Sequence, residues 1–378
     1  MRLLILVLIS LISFQTAHSQ ERQRPRDLGI RTGILTPGSL NAITDVEGVK
    51  VGHRTIIEGE NIRTGVTMSL PHGGDLFKSR VPAAVYVGNG FGKALGFTQV
   101  QELGELETPI GLTNTLSIHT VANGVTDYVL RQPGNENVRS VNPVVGETND
   151  GWLNDIRGRH VNMEHVFQAI DNAKGGPVEE GSVGAGTGTS ALGFKGGIGT
   201  SSRTLPKKYG GYTVGVLVQS NFGGVLTIGG APVGEELSNH YMASDVPYDV
   251  DGSVMIIVAT DAPLLSRNLE RLAKRAFLGI SRVGGFASNG SGDYVIAFST
   301  SEDVRINNEN SGSTQNYTEL NNSATSPLFL AAVEATEEAI LNSLFMATTI
   351  SGDRGHKQQA LPVDKVLDIM NKYSLLKE

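Results

Sequence analysis

"GSVMIIVATDAPLLSRNLERLAKRAFLGI", residues 252–280, is the stretch on which the fold turns. Ser253 to Thr260 is an apolar, largely β-branched run without polar interruption, the pattern of a buried strand entered through Asp251-Gly252. Asp261 reads as a helix N-cap with Pro263 in the first turn, and Leu265, Leu269, Leu272, Ala276 and Ile280 then share one helical face until Gly284-Gly285. The loop "FASNGSG" leads into a second strand, "DYVIAFST". If the two strands are parallel neighbours joined by that helix, they start at the same sheet edge, and Ser253 comes close to Ser291 and Asp293.

Outward from this unit the chain keeps alternating. "PAAVYVGNG" and "YTVGVLVQSN" are strand patterns stopped by Gly or Asn, and "NAITDVEGVKVGHRTI" alternates like a hairpin about Glu47-Gly48. "NTLSIHTVANGVTDYVL" and "NMEHVFQAIDNA" have helical spacing, and a last helix starts at Ser326-Pro327. Residues 302–325 are polar and Asn-rich, a surface loop, and the Arg/Gln-rich residues 20–34 are expected to be a mobile lead-in. Interleaved strands and helices imply an α/β or α+β fold with helices covering the sheets.

Composition narrows the function. Met1-Arg2, the apolar run Leu3 to Phe14 and the small-x-small pattern Ala17-His18-Ser19 form a secretory signal peptide over residues 1–19, so the protein is expected to be exported, periplasmic or secreted. No later apolar run approaches the ~18 residues of a membrane span. The absence of cysteine rules out disulfides, a thiol nucleophile and thiolate metal sites. With a net charge of −7 and no Lys/Arg cluster, the electrostatic term that drives nucleic-acid binding is missing. The 47 glycines fall mainly between apolar runs, which implies many tight turns.

Several familiar chemistries fail on context. Gly186, Gly188 and Ala191 in "GSVGAGTGTSALGFKGGIG" match a dinucleotide fingerprint, but no apolar strand precedes them, so this run is expected to be a structural or substrate-lining loop. His160 and His165 are five residues apart, which puts them on different helix faces, and there is no H-E-x-x-H. No G-x-S-x-G elbow occurs, and nothing local nominates His53, His72, His119 or His240 as a base. No metal or cofactor is expected.

By itself Gly252-Ser253 is an ordinary turn before a strand. However, "VDGSVMIIVATDAPL", "GSGDYVIAFST" and "SPLFLAAVEATEEAI" resemble the self-processing L-aminopeptidase D-Ala-esterase/amidases and β-peptidyl aminopeptidases. "GSLNAITDVEGVKVGH", "PVVGETNDGWLND", "GSVGAGTGTSALGFKGGIGTSS" and "VGVLVQSNFGG" extend the resemblance from about Gly38 to the final helix. It implies a four-layer α-β-β-α sandwich of the N-terminal-nucleophile type. It also implies scission between Gly252 and Ser253, giving an α chain of residues 20–252 and a β chain of residues 253–378, assembled as tetramers of processed heterodimers.

Physical chemistry makes such a cut intelligible. A serine hydroxyl needs a base near neutral pH, and freeing the nitrogen of Ser253 would supply an α-amine with a reference pKa of about 7.7–8.0. Gly252, lacking a Cβ, would permit the strained backbone needed for attack on its own carbonyl. The resemblance further assigns a proton relay to Ser291 and Asp293, an oxyanion-stabilising amide to Asn221, and binding of the substrate's ammonium to Glu147, with Trp152 as a pocket wall. The implied substrates are short peptides, amides or esters with a free amine. An acyl transferase of the ornithine acetyltransferase type is the runner-up, opposed by serine in place of threonine and by export; a non-catalytic exported binding protein is the third reading.

Overall fold

The computed structural model describes residues 22–243, 252–308 and 312–377, so the expected signal peptide lies outside the described residues. The principal strands are β1 (Lys50–Glu58), β2 (Ile62–Leu70), β3 (Ser79–Gly90), β4 (Ile110–Asn114), β5 (Val144–Thr148), β6 (Gly197–Thr204), β7 (Thr213–Asn221), β8 (Ser253–Thr260) and β9 (Gly292–Ser299). The principal helices are α1 (Ile118–Leu130), α2 (Met163–Asp171), α3 (Ser266–Arg282) and α4 (Ser326–Met346). One sheet runs β6-β7-β8-β9-β3 and the other β1-β2-β4-β5, each with short strands added at its margins. As expected from the sequence, β8 and β9 are parallel neighbours joined through α3.

Every residue of β8 is buried, because the strand is covered on both faces. Val254, Ile256 and Val258 join Leu269, Leu272 and Ala276 of α3 and Leu328, Ala335 and Leu344 of α4 in one core. Met255, Ile257 and Ala259 point the other way, into a second core shared with Ile110, Leu112 and Val144 of the opposite sheet. A third core lies under Val121 and Val125 of α1 and Val166 and Ile170 of α2. The result is a four-layer α-β-β-α sandwich. Each fully buried Val, Ile or Met side chain contributes about 1.5–3 kcal/mol, so β8 is among the most firmly held segments.

Close approach between layers is set by glycine at one decisive point. A Cβ on Gly199 of β6 would lie 1.9 Å from the carbonyl oxygen of Ala339, so α4 rests directly on the strand's backbone.

Three local expectations are corrected. Helix α3 starts at Ser266, not at Asp261; the Asp261 carboxylate accepts the backbone N–H of Thr213 at 2.8 Å, a cross-strand bond that helix capping would forfeit. Ile43–Asp45 is a single 3-10 turn in place of a first hairpin strand. There the Asp45 carboxylate accepts the backbone N–H groups of Leu40 and Ala42 and the Ser202 hydroxyl.

The third correction concerns the N-terminal lead-in, which from Arg22 onward is anchored. Arg22 bonds the carbonyls of Leu344 and Leu361, and Arg24 pairs with Glu180 at 2.5 Å. Arg26 bonds Glu338 of α4 at 2.8 Å, while the N–H groups of Ile34 and Leu35 bond Glu334. Arg203 is fully buried and bonds Glu334 at 3.2 Å and Glu338 at 2.7 Å. Buried carboxylates are costly without partners, and these arginines supply them.

Burial alone would push the Glu338 carboxyl up, but the Arg26 hydrogen bond and the Arg203 charge outweigh it and hold the group down to about 2, from 4.5. A depressed carboxyl stabilises the fold above its unfolded pKa and stops doing so as pH falls through its folded one. The shift is worth about 3 kcal/mol. Glu338→Gln should therefore be about 3 kcal/mol less stable than wild type in urea unfolding at pH 6, with the gap closing as pH falls from about 4.5 towards 2. A gap that stays constant with pH would show that the charge of Glu338 does not carry this stability.

Candidate active site

The first residue of β8 is held from both sides. Ser253 pairs in register with Asn221, the last residue of β7, and with Gly292, the first residue of β9. The Ser253 hydroxyl donates to the carbonyl oxygen of Gly252 at 2.5 Å, and the N–H of Gly292 donates to the same oxygen at 3.1 Å. A peptide carbonyl polarised by two donors thus adjoins the hydroxyl of the next residue.

Gly252 is required here for a reason the sequence did not reveal. A Cβ at this position would lie 2.0 Å from the carbonyl oxygen of Asn221, so close packing against the end of β7 excludes any side chain.

Ser291 and Asp293 flank Gly292, and the parallel pairing, which sets Gly292 opposite Ser253, brings both near that residue. The Ser291 hydroxyl donates to one Asp293 carboxylate oxygen at 2.6 Å, and the other oxygen is buried without a partner. Burial pushes the Asp293 carboxyl up to about 6, against the opposing effect of its bond with Ser291 and of the neighbouring Val254 backbone. A perturbed, half-satisfied carboxylate next to a hydroxyl is the usual surrounding of a proton-transfer group.

A cavity of about 540 Å³ has Gly252, Ser253, Asn221, Glu147 and Trp152 in its walls; Ser291 and Asp293 lie behind it, next to the wall residue Gly290 and outside the lining. Asn221 is pinned at both ends: its side-chain oxygen accepts the N–H of Ser190 at 2.9 Å, and its nitrogen donates to the carbonyl of Asn149 at 3.0 Å. Its second amide hydrogen is left for the cavity. Glu147 sits on β5 of the opposite sheet, almost fully buried, and accepts the Lys93 N–H at 2.9 Å and the Thr115 hydroxyl. Both donors are neutral groups, so neither is a counter-ion, and the residue lines the cavity.

Trp152 is 52% exposed, so it is a rim residue and not core. Its ring stacks on His356 at 3.7 Å, and His356 donates from Nδ1 to the Trp152 carbonyl at 2.8 Å.

The cavity also has walls that sequence reading did not nominate as site residues: Phe91, Lys93, Thr115, Asn149, Phe222 and Gln358. The glycine-rich run contributes Ser190, Leu192 and Gly193, in keeping with a substrate-lining loop. Three other histidines are engaged elsewhere. His53 is buried against Thr67 and pushed down to about 4 by that burial, His160 contacts Asp155, and His165 closes the N-terminus of α2. Among the described residues, no group of three or more His, Asp or Glu side chains is arranged to hold a metal ion.

Residues 41–358 match peptidase family S58. The chain belongs to that family. A β-peptidyl aminopeptidase from Sphingosinicella microcystinivorans is 43% identical over 388 residues, covering 95% of this chain and 95% of its own. Among solved structures, a Burkholderia β-aminopeptidase is 44% identical, with a TM-score of 0.85 over 93% of this chain and 99% of its own. The L-aminopeptidase D-Ala-esterase/amidase of Ochrobactrum anthropi, described as a variant of the Ntn hydrolase fold, is 36% identical, with a TM-score of 0.86 over the same shares. This S58 chain is accordingly a hydrolase of the aminopeptidase type on the Ntn hydrolase fold.

The geometry around Asp293 makes a direct prediction. Carbon-13 NMR of protein labelled at the aspartate carboxyls should show a resonance titrating near pH 6 that is lost in Asp293→Asn. Titration of every aspartate below pH 5, apart from that of the buried Asp150, would mean that the carboxyl is better solvated than its burial indicates.

Proposed function

We propose that the protein is an exported aminopeptidase that cuts its own chain between Gly252 and Ser253 and then hydrolyses short peptides, amides or esters through an acyl-enzyme on Ser253. One observation carries this reading: the Ser253 hydroxyl lies on the carbonyl of Gly252 while Asn221 and Gly292 clamp the residue from either side.

In the first reaction Ser253 Oγ attacks the Gly252 carbonyl carbon, and the Gly292 N–H stabilises the developing oxyanion. The C–N bond breaks, the nitrogen leaves as a free amine, and water opens the resulting ester to a Gly252 carboxylate. Ser253 then holds both a hydroxyl and an α-amine base. In the second reaction the hydroxyl attacks the substrate carbonyl, its proton passes through the amine and the Ser291–Asp293 pair to the leaving amine, and water deacylates the enzyme. The free hydrogen of the Asn221 amide meets the oxyanion, and Glu147 holds the substrate's ammonium.

The names of the relatives favour β-amino acid peptides among the possible substrates. Acyl transfer of the ornithine acetyltransferase type remains the competitor, to be separated by whether an added amine acceptor outcompetes water. The expected assembly is a tetramer of cut chains.

Mass spectrometry of the purified protein should find two fragments, the second beginning at Ser253. Ser253→Ala should remain one chain and be inactive, because both reactions use that hydroxyl. Persistently intact, folded wild-type protein that turns over substrate would refute the mechanism. Asn221→Ala should lower turnover of cut enzyme by about 100- to 1,000-fold, read as initial rates on β-amino acid and α-amino acid p-nitroanilides.

A further inference from the structure

Two buried charges behind the cavity take no part in the chemistry above. Asp150 and Lys195 are each essentially inaccessible to water. Burial pushes the Asp150 carboxyl up and the Lys195 ammonium down, and each opposite charge partly offsets the other's shift. Keeping such a pair in the interior is expensive, and hydrophobic residues of similar size are often at least as stable there. Their neighbours suggest what the expense supports.

The Lys195 ammonium donates to the carbonyls of Gly186 at 2.9 Å and Gly196 at 2.8 Å, gathering the two ends of a tight loop. Within that loop Ser190 pairs with Lys195, and Gly196 N–H bonds the carbonyl of Thr189. Ser190 supplies the N–H that fixes the oxygen of Asn221. On the other side, Asp150 accepts the side-chain N–H of Asn154 at 2.9 Å, and its own carbonyl accepts the N–H groups of Leu153 and Asn154. The other Asp150 carboxylate oxygen is buried without a partner. The bonds to Leu153 and Asn154 anchor the loop whose preceding residue, Asn149, supplies the carbonyl that fixes the nitrogen of Asn221.

We infer that Asp150 and Lys195 are positioning residues for Asn221: one charge fixes each loop that grips the amide, so that its remaining hydrogen faces the cavity in a single orientation. This rests on the oxyanion role proposed for Asn221. A rotated amide would present its oxygen, an acceptor, to the developing negative charge, so orientation decides whether the group helps or hinders.

Two measurements test the inference. In a Ser253→Ala background, Lys195→Met should accelerate hydrogen exchange of the Ser190 amide by about tenfold or more while residues 254–260 stay protected. Unchanged Ser190 exchange, or equal loosening of both regions, overturns it. In cut enzyme, with rates normalised to the cut fraction, Lys195→Met or the isosteric Asp150→Asn should lower kcat roughly tenfold to a hundredfold with KM little changed. In an Asn221→Ala background the same substitutions should cost nothing further.

Additive losses would mean that the pair acts independently of Asn221 and would overturn the inference. So would failure of both pair variants to give folded protein, which would assign the pair to the core alone. A wild-type enzyme without hydrolytic activity would instead refute the functional reading, and this inference with it, whatever the exchange result.

Discussion

Strand β8 has water on neither face and a hydrogen-bonded neighbour along each edge, and this confinement governs the rest of the molecule. Its alternate side chains fill two different cores, so a slip of one residue would exchange the contents of both. Ser253 is therefore fixed by the packing of the seven residues that follow it. Asn221 and Gly292 are fixed with it because they occupy the paired positions. The geometry around the Gly252 carbonyl is thus a product of sheet register, with loops needed only for the outer walls of the cavity.

Two sets of buried carboxylates contrast. On α4, Glu334 and Glu338 meet arginines, and Glu338 is held well below the ordinary range. Behind the cavity, Asp293 is bonded to a hydroxyl through one oxygen only and lies well above that range, and Asp150 is also raised. Glu338 stabilises the fold as a charge; Asp293 is a carboxyl whose ionisation is easily altered, as suits a site that moves protons, whereas Asp150 takes no part in that chemistry.

Much of this was legible in the sequence where a long periodic pattern met a stop signal. The eight residues of β8, the face of α3 and the final helix pointed to an α/β or α+β fold with helices covering the sheets, while the four-layer order was implied only by the resemblance; the parallel pairing brings Ser291 and Asp293 to the neighbourhood of Ser253. The roles proposed for Asn221, Glu147 and Trp152 rest on family resemblance, since one Asn at a strand end or one Glu in a strand carries no local signature. The N-terminal arm was misread because an Arg-rich stretch looks solvated until its buried partners, some 150 to 340 residues away, are known. Lys195, a lone cation inside a glycine-rich run, was the one overlooked signal, since charge in such a setting demands acceptors.

The Arg22–Leu35 arm lies in the first half of the sequence and grips a helix in the second, just as β7 grips β8 and Trp152 stacks on His356. Each half completes the other's sheet edge and neutralises the other's buried charges. Severing the chain before Ser253 would therefore separate two polypeptides in name only. The event would keep these contacts between the halves and add two new groups at the cavity, the amine of Ser253 and the carboxylate of Gly252, so that a covalent rupture would act as a chemical switch without a mechanical one.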